Sequence, residues 1–187
     1  MKKGWITVVA TTVLILGCSG VKVGQDYDPA TDFGSMKTFQ WESKSQEKTG
    51  DPRIDNPLRD TRIRAVLERT LVEKGYHRSA DETPTILIRY QYTLRRKMES
   101  GGTSGGIGFG LGSYGRHGGI AIGTGNSIHE FDEGTLTVDF VDAASQQLIW
   151  RGTGTQRFKE YDDPEKTSRD INTLVEKIMA QFPPDGP

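Results

Sequence analysis

The sequence predicts an α+β fold, a two-layer sandwich in which two helices pack on one face of a mainly antiparallel sheet. Three observations point there. Long segments alternate apolar and polar side chains one by one, Ile86, Ile88, Tyr90, Tyr92 and Leu94 against Arg89, Gln91, Thr93 and Arg95 being the clearest, and strict alternation marks a strand buried on one side. Two other segments place apolar residues at helical spacing, Ile63, Val66, Leu67 and Leu71 in one and Ile171, Leu174, Val175, Ile178, Met179 and Phe182 in the other. The order strand, strand, helix, strand, strand, strand, helix lets every half-buried face find a partner when both helices cover the same side of the sheet.

Residues 18–36 read as a polar tether and a first strand, with Val21 and Val23 alternating with Lys22 and Gly24 before Asp26-Tyr27-Asp28-Pro29 turns the chain. Residues 37–187 read as a single α+β domain. Its first strand covers about residues 36–42, around Phe39 and Trp41, and the charged stretch 43–56 with Gly50 and Pro52 is a loop. A helix then opens at Asn56-Pro57. The Asn side chain can cap it, and Pro fits the first turn because no amide hydrogen is needed there. Gly75 supplies the left-handed stop. Thr85 to Lys97 is the long alternating strand. Gly134 to Asp142 repeats the pattern, with Leu136, Val138 and Phe140 inward and Thr135, Thr137 and Asp139 outward. Ala143-Ala144-Ser145-Gln146 connects it to a strand over Gln147–Phe158 with Leu148 and Trp150 on its apolar face, and the two pair as a hairpin. Asp163-Pro164 opens the last helix, and Pro183-Pro184 closes it.

Between the two long strands lies a loop of unusual composition, residues 101–125, in which 12 of 25 residues are glycine. Ile107, Phe109, Leu111, Tyr114, Ile120 and Ile122 are spaced through it. Gly110 to Gly115 satisfies G-x-G-x-x-G, but a dinucleotide fingerprint must open a helix inside a strand-helix-strand unit, and nothing helical follows. Two readings stand: a spacer between sheet strands, or a docking loop whose apolar residues meet a partner or a membrane surface.

The N-terminus carries an address. Lys2 and Lys3 precede an apolar run from Trp5 to Leu16, small Gly17 follows, and the chain's single cysteine, Cys18, closes Ile15-Leu16-Gly17-Cys18. A positive n-region, an apolar h-region and a small residue at the cut form a secretory signal. A run of roughly twelve residues is short of the about 20 that a transmembrane helix requires. The pattern is similar to the bacterial lipobox, which implies cleavage between Gly17 and Cys18 and acylation of Cys18, with palmitate among the acyl chains. Two or more chains hold a protein stably at a membrane where one does not. Ser19 rather than Asp after the cysteine favours the outer membrane by analogy with enterobacterial sorting. Removing residues 1–17 leaves 170 residues with 22 basic against 25 acidic side chains, a balance that gives no general affinity for nucleic acid. With Cys18 acylated, no thiol remains for a disulfide or a cysteine metal site.

No catalytic constellation emerges. His77, His117 and His129 are scattered, without the spacing of a zinc site. His129-Glu130-Phe131-Asp132-Glu133 gathers one imidazole and three carboxylates that could hold a divalent ion, but reads first as a solvated edge before a strand. Arg95-Arg96-Lys97 can meet anionic head groups or a glycan, or simply be a solvated strand end. The serines lack a partner histidine or aspartate in any hydrolase motif. No catalytic residue, metal or cofactor is therefore assigned.

Several short motifs occur together and in order: Asp26-Tyr27-Asp28-Pro29, Asp32-Phe33, Lys37-Thr38-Phe39-Gln40-Trp41, Lys74-Gly75-Tyr76, Glu133-Gly134-Thr135-Leu136 with Val138-Asp139 and Asp142, Leu148-Ile149-Trp150-Arg151-Gly152, and Phe182-Pro183-Pro184. In these, across nearly all of the chain beyond residue 17, the sequence resembles the lipoprotein family catalogued as domain of unknown function 4136. The resemblance implies a bacterial cell-envelope lipoprotein and brings no catalytic residues. The expected role is non-enzymatic: a domain lipid-anchored at the membrane through Cys18, facing the periplasm, that binds an envelope protein or stabilises an assembly. A lipid, glycan or small-ligand binding module is the alternative, and an enzyme with an unmarked site a more distant one.

Overall fold

The computed structural model describes residues 20–80, 83–100 and 128–184. In chain order these form β1 (Lys22–Tyr27), β2 (Thr38–Trp41), α1 (Pro57–Glu73), β3 (His77–Arg78), β4 (Ile86–Ser100), β5 (Ile128–Asp142), β6 (Leu148–Arg157) and α2 (Pro164–Met179). The predicted glycine loop 101–125 lies outside the described residues. All six strands join one open sheet in the order β1-β6-β5-β4-β2-β3. The pairs β1–β6, β6–β5 and β5–β4 are antiparallel, whereas β2 runs parallel to both β4 and β3. The fold is the expected α+β sandwich, and β1 is an edge strand of its sheet.

Both helices start and stop for local reasons. Asn56 sits in extended backbone and its side chain accepts from the Leu58 amide at 2.9 Å, with Pro57 in the first turn. Gly75 takes φ +84°, and the Tyr76 amide donates back to the Leu71 carbonyl at 2.9 Å, which satisfies a carbonyl the helix end would otherwise orphan. Asp163 caps α2 through the Glu165 amide at 2.8 Å.

The buried stripe of α2 meets the sheet face formed by Leu136, Val138, Phe140 and Trp150. Phe182 is the hub of this contact. Its ring stands 4.5 Å from Phe140, 5.1 Å from Trp150, 5.3 Å from Tyr76 and 5.6 Å from Phe33, mostly edge to face, the arrangement aromatic quadrupoles favour. Beyond Trp150 the same row of β6 holds Gly152 and Gly154. A Cβ at Gly152 would lie 2.3 Å from Trp150 Cη2 and 2.5 Å from Ile178 Cγ2, so the absence of a side chain is what lets α2 approach.

A polar network ties α1 down on the β2 side. Arg64 pairs with Asp60 and lies 4.2 Å over the Trp41 ring, Trp41 Nε1 donates to Glu68 Oε1 at 2.6 Å, and the Tyr90 hydroxyl donates to Asp60. Burial, followed by the Asp60 carboxylate, pushes the Tyr90 hydroxyl far above its ordinary pKa, so it stays a donor.

The structure differs from the sequence reading in three places. The segment His129–Glu133, expected as a charged edge before a strand, is itself the first third of β5, paired residue by residue with Arg95–Glu99. Leu148, expected on the apolar face of β6, is 42% exposed while Ile149 is buried. The cause is a register shift between Phe140 and Val141: Phe140 pairs with Trp150 but Val141 with Leu148, which leaves Ile149 as the extra residue of a bulge. The two-residue β3 was not expected, being too short to show a period.

Candidate functional site

The two described helices cover one face of the sheet and leave the other to polar side chains. A row of charges crosses that open face, because the register sets Arg89 opposite Asp139, Asp139 opposite Arg151 and Arg151 opposite Asp26. Asp139 is only 6% exposed. Its carboxylate accepts from Arg151 Nε at 2.6 Å and Nη2 at 2.8 Å, a two-pronged bond, and from Arg89 Nε at 3.1 Å. Arg89 also reaches Glu42 at 3.7 Å. Hydrogen bonding to Asp139 pushes the Arg151 guanidinium above its already high pKa. Both arginine heads stay nearly half exposed, so they screen the carboxylate while presenting their outer edges to solvent.

The next rows are uncharged. Gln91, Thr137 and Thr153 align, then Thr93, Thr135 and Thr155. Residues 42–47 form a raised wall along the β4 edge beyond β2, held by the Tyr92 amide donating to Gln46 Oε1 at 2.8 Å and by Gln91 Nε2 donating to the Glu47 carbonyl at 3.2 Å. Wall and sheet enclose a groove of about 710 Å³ whose floor is Arg89, Gln91, Thr137, Asp139 and Arg151. It presents hydroxyl, amide and guanidinium groups that can hydrogen-bond. Its one buried carboxylate, Asp139, is saturated by arginine.

Residues 23–184 match the family described as Domain of unknown function (DUF4136). The chain belongs to this family. No curated protein matches it. In three dimensions the DUF4136 chain is similar to a PDZ domain protein from Parabacteroides distasonis, at a TM-score of 0.51 and 14% identity, over 89% of this chain and 36% of that one. It thus spans little more than a third of that protein, and the likeness is one of fold. A PelC dodecamer from Paraburkholderia phytofirmans matches at a TM-score of 0.44 and 14% identity, over 86% of this chain and 95% of that one.

The site residues expected from sequence in this DUF4136 chain fall into two groups. Gly17 and Cys18, and the loop residues Ile107, Phe109, Leu111, Tyr114, Ile120 and Ile122, lie outside the described residues. The acidic run before the second long strand is described, and its carboxylates face cations: Asp132 meets Arg53 at 2.5 Å, Glu133 meets Lys97 at 2.9 Å and Glu130 meets Arg96 at 3.9 Å. Alternation sends neighbouring members to opposite faces of the ribbon, and among the described residues no group of three metal-ligating side chains converges. The sequence placed Arg89 and Asp139 on outward faces but could not align them with Arg151. Only the register of three strands makes that row.

Proposed function

We propose that the chain is a bacterial cell-envelope lipoprotein, cleaved between Gly17 and Cys18 and held by acyl chains on Cys18 in the outer membrane, facing the periplasm. Its domain acts without catalysis, binding an envelope protein or stabilising an assembly through the helix-free face of the sheet. The observation that carries this reading is the Lys2-Lys3, apolar run, Gly17-Cys18 pattern standing four residues ahead of edge strand β1. Four residue steps reach at most about 14 Å, so the lipid would hold the sheet close to the bilayer.

If the anchor holds, the end of the sheet that carries Lys22 is the end next to the membrane. Lys22 lies opposite Thr155, which pairs with Thr135 and so with Thr93, while β4 and β5 run on as a two-stranded ribbon to Ser100 and Ile128. Seven further residues extend about 23 Å. Lys22 and Ser100 thus belong to the same end of the domain, and the grooved open face runs away from it, accessible to a periplasmic partner. Among the described residues no helix is long and apolar enough to cross a membrane.

Cys18→Ser is expected to abolish acylation and to leave the protein in the soluble fraction or stalled as the precursor. Intact-mass measurement on the membrane fraction decides it. Wild-type protein that retains residues 1–17 or lacks a diacylglyceryl adduct at Cys18 would refute the anchor.

Replacing residues 101–125 by a short Gly-Ser turn is expected to keep the melting temperature, because the ribbon continues into a pairing of β4 with β5 that covers all 15 residues of each strand. If the glycine segment docks the partner, the same variant loses crosslinks in intact cells. Unchanged melting with unchanged crosslinks would reduce the segment to a spacer.

A further inference from the structure

A second groove, of about 670 Å³, lies away from the open sheet face, between residues 52–62, which span the loop and first turns of α1, and residues 159–167, which lead into α2. Four cations line it, Arg53, Arg59, Arg62 and Lys159, against two carboxylates, Glu160 and Asp162. Arg53 is neutralised by Asp51 at 2.6 Å and Asp132 at 2.5 Å. The other three have no carboxylate within ion-pairing distance among the described residues, whereas every other described arginine except Arg95 has one.

Arg59 and Arg62 stand three apart on α1, so their side chains share one helix face, where two like charges repel and weaken the helix unless an anion sits between them. Arg59 is already oriented. Its guanidinium lies 5.2 Å from the centres of both the Tyr92 and Phe158 rings, and its Nε is buried without an acceptor. A guanidinium fixed by stacking loses little freedom when its fork takes a planar or tetrahedral oxyanion. Asn56 and Asp163 cap the two helices, each accepting from one first-turn amide. Asp170 lies within electrostatic reach of Arg59 and Lys159 but forms no ion pair with either, and its carboxylate accepts from Gln156 Nε2 at 2.9 Å.

We propose that this groove is an anion site for a phosphate-bearing group, with Arg59 and Arg62 bracketing the phosphate from α1 and Lys159 closing on it from the opposite wall. Both helices begin at the end of the sheet that carries Lys22, as the contacts of Arg53 with Asp132 and of Gln156 with Asp170 show. A lipid phosphate is therefore in reach if the Cys18 anchor holds, and a soluble phosphate ester is in reach either way.

The test is phenylglyoxal labelling of the full-length protein in neutral detergent micelles, read by mass spectrometry at Arg62 with unpaired Arg95 as internal reference. Either sn-glycerol 3-phosphate or micelles doped with phosphatidylglycerol is expected to lower labelling at Arg62 several-fold and leave Arg95 unchanged, relative to sodium chloride at equal ionic strength and to phosphatidylcholine. Protection by the soluble ester assigns a free phosphate ligand, and protection only by the doped micelles assigns a headgroup. Lys159→Ala, at an exposed position, is expected to raise the half-protecting concentration about tenfold, the worth of one charge-assisted hydrogen bond. No protection at Arg62 by either probe, equal protection at Arg95, or an unchanged half-protecting concentration in Lys159→Ala would overturn the site. Each of these outcomes is independent of the mass of Cys18.

Discussion

Replacing Ile178 by Asp is expected to leave the domain without a cooperative unfolding transition at pH 7. Ile178 is fully buried, and its branches lie where side chains at Gly152 and Gly154 would otherwise stand. Loss of the aliphatic side chain alone costs about 2–5 kcal/mol, which Ile178→Ala measures. The introduced carboxylate adds the penalty of a charge buried without a partner, and the two together approach the about 5–15 kcal/mol by which domains of this kind are stable. Because burial raises the pKa of the introduced acid in the folded state only, the extra penalty grows with pH from the ordinary carboxylate value upward and is large at pH 7. It shrinks as the pH falls toward the ordinary carboxylate value. Urea unfolding followed by tryptophan fluorescence should show no cooperative transition for the Asp variant at pH 7 and the return of one at pH 4, approaching that of the Ala variant. A midpoint equal to wild type at pH 7 would show that α2 does not seat on this row of the sheet.

Much of this architecture was legible because its signals are local. A capping Asn56 before Pro57, a left-handed Gly75 and an Ile171–Phe182 stripe each act within a few residues, and each appears where the sequence puts it. Alternation told inward from outward along β4 without reference to any partner. What could not be read depends on relations between segments. The bulge that exposes Leu148 and buries Ile149 exists only because β5 and β6 slip by one position. The parallel placing of β2 beside β4 comes from α1 crossing over between them, and the five-residue stretch His129–Glu133 looked too charged for a strand because its counter-charges lie on β4 and at Arg53.

The same distinction separates the visible from the hidden parts of the candidate sites. The Cys18 proposal rests on spacing along the sequence alone. Arg89, Asp139 and Arg151 are unremarkable outward residues until 50 and 12 positions of separation collapse into one row. Arg59 and Arg62 look like ordinary surface charges of a helix. Their meaning comes from the aromatic rings beneath Arg59 and the Lys159 loop opposite, contributed by β4 and the approach to α2. Neither site leaves a motif, because neither draws its residues from a single segment.

Trp150→Ala is expected to cost about 3–5 kcal/mol, and the way that loss responds to a second change tests the packing directly. Trp150 is fully buried, 4.9 Å from Phe140 and 5.1 Å from Phe182, and its Nε1 donates to Gln25 Oε1 at 3.0 Å, joining edge strand β1 to the core. Trp150→Phe keeps most of the burial and forfeits that hydrogen bond, worth about 0.5–1.5 kcal/mol, so it should fall between wild type and Ala. The indole also lies against Gly152, so Gly152→Ala alone forces a methyl group into it. Once Trp150 is Ala, that methyl group enters the space the ring has left and only the Ile178 contact resists it. The double variant should therefore be more stable than the sum of the single losses predicts, by a coupling of about 0.5–3 kcal/mol, as for residues in direct contact. Additive losses in urea melts of the four proteins would mean that Trp150 does not lie over Gly152, and the close seating of α2 on β6 would have to be abandoned with it.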